Sequence, residues 1–385
     1  MRAPTPNLAA VRRATIPAAL AAAFLAATTR LGTDYPWDAG PAIASLAHGD
    51  VHGFVADQAQ MGPLSLLLRA PFAALVGPSS IWAYRLGAFA CMLVVIGLVV
   101  LLARRAGSVN ATIAAALLVV NPVSIDALRL GHPEERVGSA LCVIALLLAR
   151  ERQVAAGVAL GAALATKQWA LIAIAPVLIA APHGTRKRLA LTAAGVAVAV
   201  TAPFAIASPH AFLEAMRHPA FGVAEMRTGN VWGWAAITNH IALGGGDAVT
   251  AYTVPDWLQH GAHPLAALLT LGLGAAALRT RRAVDPLALL ALLMLLRCAL
   301  DPWNHAYYHA PFLAALIAWE VLEARRAPWL SAACAAFLGV VFGLSLPVSD
   351  VLYTLWALPL VVWLSRRALR SAPVRLRRVL PVPVA

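Results

Sequence analysis

Apolar runs recur along nearly the whole sequence, and short polar clusters separate them. A membrane-spanning helix needs roughly 17 to 25 mainly apolar residues, so this pattern predicts a polytopic membrane protein. The predicted spans number about twelve, and they are 14–31, 79–103, 108–125, 133–149, 154–168, 169–181, 189–207, 263–278, 284–300, 310–323, 328–346 and 350–365. Several of them are short for a span, so the count is approximate. The predicted fold is all-α, a bundle of transmembrane helices.

Composition supports a membrane protein. The 385 residues are 61% hydrophobic and only 12% charged, whereas soluble globular domains carry about 25% charged residues. The net charge of +13 would suggest a nucleic-acid partner in a soluble protein, but its distribution argues against one. Of the 30 basic residues, 21 fall in alternate loops and termini. The positive-inside rule makes these loops cytoplasmic, so we expect a multi-pass protein of the cell membrane with both termini inside.

Acidic residues follow the opposite pattern, because 13 of the 17 fall in the loops predicted to be external. The polar chemistry of the protein is therefore expected on the outer face. The first long external loop, 32–78, contains DAGPAIASLAHG and GPLSLLLRAPFAALVG, which are too short to span and are predicted to be interfacial helices. The second, 208–262, holds Trp232, Trp234, Tyr252, Trp257 and a run from Gly244 to Gly246. It is predicted to mix short helix with mobile loop.

The chain is predicted to form a single transmembrane domain, 1–365, followed by a basic cytoplasmic tail, 366–385. All four cysteines fall inside apolar spans, where they are expected to pack as small hydrophobic residues. The first span could be a cleaved signal peptide, but its 18 residues exceed the usual core of about 7 to 15. An uncleaved helix is therefore favoured, and cleavage would leave the rest of the topology unchanged.

Two carboxylates, Asp34 and Asp38, follow the first span in the segment TDYPWDAG. A carboxylate that is partly desolvated at a membrane surface can have its pKa raised toward the range of a general base. Helix capping or simple solvation is the alternative, and the residues taken alone favour that alternative. Position near the outer membrane surface makes both Asp34 and Asp38 candidates for a general base or a second acid.

Several cations lie near outer helix ends, namely Arg85, Arg129, Arg136, Lys167 and Arg297. Lys167 differs from the others because it stands between two apolar runs, on the side where basic residues are disfavoured. An ionisable group kept at such a position is a functional candidate, and Lys and Arg bind phosphate well. The alternative is that these side chains extend to lipid headgroups.

The segment DPWNHAYYHAP, residues 301–311, carries Asp301, His305 and His309 at intervals of four. On a helix these three would line one face beside Trp303. A pair of histidines at this spacing can bind zinc, but no third ligand and no catalytic glutamate accompany it. The aromatic and polar side chains suit a sugar or a phosphate better, although interfacial aromatic belts also occur without a function.

In LGHPEERVGSA, residues 130–140, His132 and Glu134 open a predicted helix. Carboxylates in a first helical turn are favoured by the helix dipole. Helix capping is the simplest interpretation of this segment.

Taken in order, these segments resemble the C-type membrane glycosyltransferases (GT-C), and among them glycosyltransferase family 87, which includes mannosyltransferases that use polyprenyl-phosphate-mannose. The resemblance covers about residues 15–315 and rests on the first-loop acid, GPLSLLLRAPFAAL, LGHPEE, GVALGAALATKQWALIAIAP and WNHAYYH. Three features depart from the family pattern. Asp38 replaces a tyrosine, GHPEE replaces a glycine-glutamine pair, and the histidines of the late loop are four residues apart rather than adjacent.

The resemblance implies that Asp34 is the general base, that Lys167 matches the lysine after the small-residue helix, and that His305 or His309 matches the histidine of the late loop. We expect transfer of a sugar, with mannose as the first candidate, from a polyprenyl-phosphate-sugar donor to an envelope lipid or glycan acceptor on the outer face, with inversion. The expected phosphate-binding residues are Lys167, Arg85, Arg129 and Arg297. Those expected to contact the sugar or acceptor are His305, His309, Asp301, Trp303, His132 and Glu134. No cofactor is expected, and a role for a divalent metal stays open.

The main alternative is a secondary transporter, for which twelve spans is a familiar number. Transporters place ionisable groups near the bilayer midplane and often contain related halves. Here the carboxylates lie at the outer ends, the middles of the spans are almost purely aliphatic, and the two halves show no repeat. These features favour an enzyme, and a non-catalytic partner in envelope assembly is a third possibility.

Overall fold

The structure is a computed structural model that describes residues 8–30, 34–57, 61–106, 108–214, 225–226, 229–233, 237–243, 249–253, 255–280, 283–344 and 348–369. Its helices, in chain order, are α1 Leu8–Thr28, α2 Ala39–Ala47, α3 Val51–Ala56, α4 Pro63–Val76, α5 Ile81–Ala103, α6 Ser108–Val119, α7 Pro122–Leu130, α8 Pro133–Leu148, α9 Gln153–Leu164, α10 Ile174–Ala180, α11 Arg186–Ala207, α12 Asp256–Arg279, α13 Pro286–Leu300, α14 Ala310–Leu322, α15 Trp329–Val341 and α16 Val348–Leu369. Short 3₁₀ turns cover Gln168–Ala173, His183–Thr185 and Ala306–His309.

Six stretches of described helix are long and apolar enough to cross a membrane: Leu8–Thr28, Ile81–Ala103, Val109–Leu130, His183–Ala207, Asp256–Arg279 and Val348–Leu369. Others are apolar but shorter, among them α9, α13 and α15. The 12 residues of α9 extend only about 18 Å, less than the roughly 30 Å of the hydrocarbon core. The predicted helical membrane bundle is confirmed, and the number of twelve spans stays a prediction.

Burial divides the bundle into a centre and a periphery. Helices α8, α13 and α14 are buried along most of their length, whereas most residues of α11, α12 and α16 are half-buried or exposed. A helix that is apolar all round is expected either in a protein interior or against lipid. The central helices therefore form the protein core, and the outer helices present leucine, valine and alanine to the bilayer.

Charges are segregated between the two ends of the bundle. The chain passes back and forth, so the arginines that follow α5 and α8 lie at the same end as Arg326, which follows α14. The starts of α8 and α14 lie at the opposite end, together with the first loop. We call these the arginine-rich end and the acidic end.

The first long loop folds as α2, α3 and α4, so its two predicted segments are helical, and their position at the membrane interface stays a prediction. Helix α4 packs on α5, and α2 packs on α4. At the start of α4 the backbone N–H of Gly62 donates to the carbonyl of Thr166 (2.9 Å), and that of Leu64 donates to the carbonyl of Ala165 (3.0 Å). These bonds fasten the loop to the turn that carries Lys167.

The second long loop contains β-structure that the sequence reasoning missed. Strands β1 Glu225–Met226, β2 Ile237–Leu243 and β3 Val249–Thr253 form an antiparallel sheet in the order β1-β3-β2. Residues 209–214 are helical, as the predicted short helix requires, but the strands were not predicted, although two strand-like segments flanking a glycine run are a hairpin signal. Trp234, Gly244 to Gly246 and the tail beyond residue 369 lie outside the described residues.

Candidate active site

The candidate site is built around the first turn of α8. Helix α7 ends at Gly131, whose φ of +105° lies in the left-handed region that favours glycine. The chain then turns through His132 into α8, which begins with a proline at its first position. Glu134 and Glu135 follow in the first turn with 0% and 1% of their surface exposed. The helix dipole favours carboxylates there, but complete burial also requires cationic partners.

Lys167 and His132 supply that positive charge. Lys167 Nζ lies 3.3 Å from Glu134 Oε1 and 3.3 Å from Glu135 Oε1. His132 Nδ1 lies 2.9 Å from Glu134 Oε1, and its Nε2 lies 3.3 Å from Asp34 Oδ2. Asp38 Oδ2 is 3.7 Å from His132 Nδ1. The structure therefore joins Asp34, Asp38, His132, Glu134 and Lys167 in one ionic network.

Solvent reaches this network unequally. The side chains of Asp34 and Asp38 are 38% and 24% exposed, whereas that of Lys167 is 11% exposed. Lys167 is thus a buried partner of two glutamates and does not extend to lipid headgroups. The two aspartates form the open side of the network, where an acceptor could approach.

Arg69 contacts the network at its buried side. Its Nη1 lies 3.6 Å from Glu134 Oε2, and the side chain is 1% exposed. The guanidinium also lies over the ring of Tyr35 at 5.1 Å and that of Tyr84 at 5.8 Å. Because Tyr35 adjoins Asp34 in the chain, these contacts fix the position of the first-loop acid. Tyr35 also packs against Gly131, so both turns of the site meet at this ring.

The protonation of His132 follows from its neighbours. Burial disfavours the imidazolium, but the carboxylate of Glu134 and the hydrogen bonds with Asp34 and Glu134 outweigh it and raise the pKa of His132 to about 9. His132 is therefore an imidazolium at neutral pH and donates from both ring nitrogens. One donor is directed at Asp34 and the other at the buried Glu134.

Aromatic rings cover the other side of His132. The imidazole stacks on Tyr307 at a centroid distance of 4.6 Å, and Tyr307 stacks in turn on His305 at 5.1 Å. Burial raises the pKa of Tyr307 well above its usual value, so this phenol stays neutral. His305 thus reaches the network through Tyr307.

The expectation that Asp301, His305 and His309 share a helical face was wrong. Helix α13 ends at Leu300, residues 306–309 form a 3₁₀ turn, and α14 starts only at Ala310. A proline follows Asp301, and the residue before a proline is pushed out of helical conformation. Asp301 is accordingly extended, with φ −86° and ψ 115°.

The three residues consequently have different surroundings. Asp301 Oδ1 lies 3.1 Å from His263 Nε2 and accepts from the backbone N–H of Trp303 at 2.9 Å. Burial would raise the pKa of Asp301, but the hydrogen bond and charge of His263 lower it. His309 Nε2 lies 2.8 Å from the hydroxyl of Tyr353, in an aromatic core with Phe342. The structure does not bring His309 into the ionic network.

Second-loop residues dock beside Asp301. The side chain of Asn230 donates to the carbonyl of Asp301 (2.9 Å), and its backbone N–H donates to Asp350 Oδ1 (2.8 Å). The indole N–H of Trp232 donates to the carbonyl of Leu300 (3.0 Å). This segment therefore holds the second loop against the ends of α13 and α16.

The predicted phosphate-binding arginines are also separated. Arg297 lies between the rings of Trp169, at 5.6 Å, and Tyr308, at 4.7 Å, which places it near Tyr307. Arg85 donates to the carbonyl of Thr29 (3.2 Å) and supports the entry to the first loop.

Arg129, the third predicted phosphate-binding arginine, and Arg136, the remaining cation near an outer helix end, do not contact the ionic network. Arg129 is 69% exposed and lies 3.5 Å from Asp126 at the rim. Arg136 is buried and donates to the carbonyl of Leu118. The structure thus brings Lys167 and Arg297 close to the first turn of α8, and leaves Arg129 at the surface.

Sequence reasoning missed three participants, namely Arg69, Glu135 and Tyr307. An arginine within the apolar segment GPLSLLLRAPFAAL was the available signal for Arg69, since a charge in such a segment needs a buried partner. The assignment of HPEE as simple capping was incomplete, because both glutamates also bind Lys167. Among the described residues, no group of three or more His, Cys, Asp or Glu is arranged to hold a metal ion.

Comparison with protein families decides the class. The model of glycosyltransferase family 87 matches residues 61–302, which is more than half of the chain. The chain belongs to glycosyltransferase family 87. The matched segment contains Arg69, His132, Glu134, Lys167 and Arg297. Membership confirms the predicted resemblance and supports a membrane glycosyltransferase over a transporter.

A solved structure has the same fold. The crystal structure of ArnT from Cupriavidus metallidurans bound to undecaprenyl phosphate matches with a TM-score of 0.53 and 18% sequence identity, over 91% of this chain and 69% of that one. ArnT is a GT-C glycosyltransferase, so this family 87 chain has the GT-C fold as predicted. The comparison with curated proteins gives no match.

Proposed function

We propose that this family 87 enzyme transfers a sugar, with mannose the first to test, from a polyprenyl-phosphate-sugar donor to a lipid or glycan acceptor of the cell envelope. The observation that carries the proposal is the ionic network that joins the partly exposed Asp34 to the buried Lys167 through His132 and Glu134. It provides a proton acceptor and cationic groups within one site. Undecaprenyl phosphate bound to ArnT supports a lipid-phosphate donor.

Asp34 is the proposed base. It is the most exposed carboxylate of the network, and the hydrogen bond with His132 Nε2 at 3.3 Å orients it. The acceptor oxygen attacks the anomeric carbon from the face opposite the phosphate, and its proton passes to Asp34. The bond from that carbon to the phosphate oxygen breaks with its electron pair, so the polyprenyl phosphate leaves and the anomeric configuration inverts. Asp38 is the second acid at the same opening.

Positive charge is proposed to stabilise the leaving phosphate. Of the predicted phosphate-binding residues, Lys167 and Arg297 are the two that lie near the first turn of α8. Oriented cations in a partly dry site stabilise a developing anion more than they would in water. Arg85 and Arg129, at the rim, are suited to the approach of an anionic donor. His305, Tyr307 and Asp301 are the proposed contacts of the sugar or the acceptor.

The active site is proposed to face outward. The arginine-rich end of the bundle is cytoplasmic by the positive-inside rule, and Asp34 lies at the opposite end. Both termini would then be cytoplasmic, because α1 starts and α16 ends at the arginine-rich end.

The test replaces Asp34 with asparagine in protein reconstituted into liposomes, with labelled polyprenyl-phosphate-mannose and an envelope lipid fraction as acceptor. General base catalysis contributes about 10²- to 10⁴-fold, so turnover should fall by that factor. Asp57→Asn is the matched control, since Asp57 is an exposed acid of the same loop that accepts from Ser45 Oγ at 2.9 Å. Near-normal turnover of folded Asp34→Asn protein would rule out the base.

A second experiment identifies donor and acceptor. Mass spectrometry of envelope glycolipids from a deletion strain should reveal the loss of one sugar from a defined lipid or glycan. A solute taken up by vesicles without any lipid-linked sugar would instead support transport.

A further inference from the structure

A groove at the arginine-rich end lies far from the ionic network. It has a volume of about 640 Å³ and runs between α15 and α16. Its apolar lining includes Trp329, Trp356 and Trp363, with Leu355 and Leu360. Volumes of about 300 to 1,000 Å³ are typical of sites that enclose much of a small ligand. Trp329 and Leu355 are each 67% exposed, so the groove opens toward the surrounding bilayer.

Two guanidinium groups flank the mouth of this groove. Arg326 lies over the ring of Trp319 at 5.8 Å, and Arg367 lies over the ring of Trp363 at 5.5 Å. The two indoles contact each other edge to face at 5.5 Å. The two arginines therefore each contact one member of the same tryptophan pair, and both arginines are exposed.

A buried carboxylate fixes the turn that carries Arg326. Glu320 Oε1 accepts from Arg326 Nε at 3.1 Å, and Glu320 Oε2 accepts from the backbone N–H and hydroxyl of Ser331 at 2.8 and 2.7 Å. Arg325 adopts a positive φ of 51° in this turn. Arg326 balances the charge of Glu320, so Arg367 supplies the net positive charge of this pair of arginines.

We propose that the groove binds an anionic glycerophospholipid from the leaflet at the arginine-rich end. An acyl chain would lie among the tryptophan and leucine side chains, and the phosphate would meet Arg326 and Arg367. Two features argue for this occupant. The cationic side chains can pair with an anionic headgroup, and the apolar surface next to them can hold the acyl chain that follows the headgroup in a lipid. Anionic leaflets attract interfacial arginines, and a guanidinium can bind phosphate through two hydrogen bonds.

The site is distinct from that of the proposed donor. The groove extends from the start of α15 to Cys334 and along α16 from Leu355 to Trp363, and neither Asp34 nor Lys167, at the acidic end, lines it. A lipid bound here would stabilise α16 against α15 without taking part in sugar transfer.

The experiment measures lipid retention by native mass spectrometry of the full-length protein, released from nanodiscs of equal parts phosphatidylglycerol and phosphatidylcholine. We expect phosphatidylglycerol to be retained in preference. Arg367→Gln should reduce that preference about fivefold, as expected for one interfacial cation, and Trp329→Ala should reduce retention of both lipids. Both residues are exposed, so these variants are expected to fold.

Arg188→Gln is the matched control, because Arg188 is an exposed arginine near the start of α11 at the same end. It should leave the preference unchanged. Equal retention of the two lipids by the wild type would overturn the proposal, and so would a control variant that behaves like Arg367→Gln. Displacement of phosphatidylglycerol by an isoprenyl phosphate at equal concentration would also overturn it, because the groove would then select for the isoprenoid.

Discussion

Glu134 and Glu320 are both 0% exposed, one at each end of the bundle, and their surroundings differ. Glu320, at the arginine-rich end, accepts hydrogen bonds from Arg326, from the backbone N–H of Leu330 and from Ser331, so both of its oxygens have donors. Glu134, at the acidic end, has both of its close contacts at one oxygen, because His132 Nδ1 lies 2.9 Å and Lys167 Nζ 3.3 Å from Oε1. Its Oε2 has no hydrogen-bond donor among the described residues, and Arg69 is 3.6 Å away.

The difference indicates a structural role for Glu320 and a role at the active site for Glu134. A buried polar group that is fully satisfied stabilises one conformation, whereas a partly satisfied group costs free energy. Such a cost is typical of functional sites, where charged groups are held in fixed positions although this lowers the stability of the protein. Glu320 accordingly caps the start of α15, while Glu134 holds three cations beside an acid that solvent can reach.

The strongest test of this comparison replaces each glutamate with glutamine. Glu134→Gln leaves Arg69 without its carboxylate partner and Lys167 with Glu135 alone, and we expect turnover of the folded enzyme to fall on the order of 10²-fold, as for a misplaced catalytic group. Glu320→Gln should lower the thermal midpoint and leave turnover per folded molecule near normal. Monodisperse fractions assayed for sugar transfer distinguish the two outcomes. Equal turnover of both variants would contradict the division.

A second test displaces the acid without changing any charge. In Gly131→Ala the new methyl group would lie 2.8 Å from Tyr35 Cβ, so Tyr35 and the adjoining Asp34 must move away from His132. We expect lower turnover and a lower thermal midpoint. Gly49→Ala is the control, because Gly49 also has positive φ, +77°, but open space around it. That variant should show only the backbone cost of about 1 to 2 kcal/mol, with turnover retained.

A third test varies the pH. Glu134 is paired with a histidine, which can lose its charge, whereas the partners of Glu320 are an arginine, a serine and a backbone N–H group. The folded-state pKa of His132, about 9, lies above its ordinary value near 6.5. Its contribution to stability is therefore complete below about pH 6.5 and is lost as the pH rises through 9. It amounts to at most about 3 kcal/mol.

Thermal unfolding of the detergent-solubilised protein between pH 6 and 10 measures this dependence. The wild type should lose stability above pH 8, and His132→Gln should show a flatter profile. Parallel profiles for wild type and variant would mean that other groups cause the loss.

The smallest expected effect concerns the rim. Arg129 is 69% exposed and pairs with Asp126, and exposed pairs contribute about 0 to 1 kcal/mol. Arg129→Gln should therefore leave stability unchanged within that range, and should weaken donor use mainly at low salt, where attraction of an anion is least screened. Arg297→Gln, which removes a cation held between Trp169 and Tyr308, should have a larger effect on turnover. Turnover and the Michaelis constant for the donor, measured for both variants at low and high salt, would compare the two effects.

Most of the helices were predictable, because apolar runs and proline at helix starts are local signals. The candidate acid Asp34 and the cation Lys167 were also found from sequence, since charge next to apolar spans is costly. Periodicity failed at residues 301–309, where the proline after Asp301 and a 3₁₀ turn interrupt the helix on which the interval of four depended. The sheet of the second loop was missed because short strands give weak signals in a chain dominated by apolar helices.

The sequence by itself determined that this protein is a bundle of membrane helices with opposite charges at its two ends, because burial of apolar runs and charge bias depend on composition along the chain. Only the tertiary structure decided which charges meet. Arg69, His132 and Lys167 lie on separate segments, and their convergence on Glu134 depends on the packing of α4, α8 and α9. Ion pairs act over a few ångströms, and sequence distance carries no information at that scale.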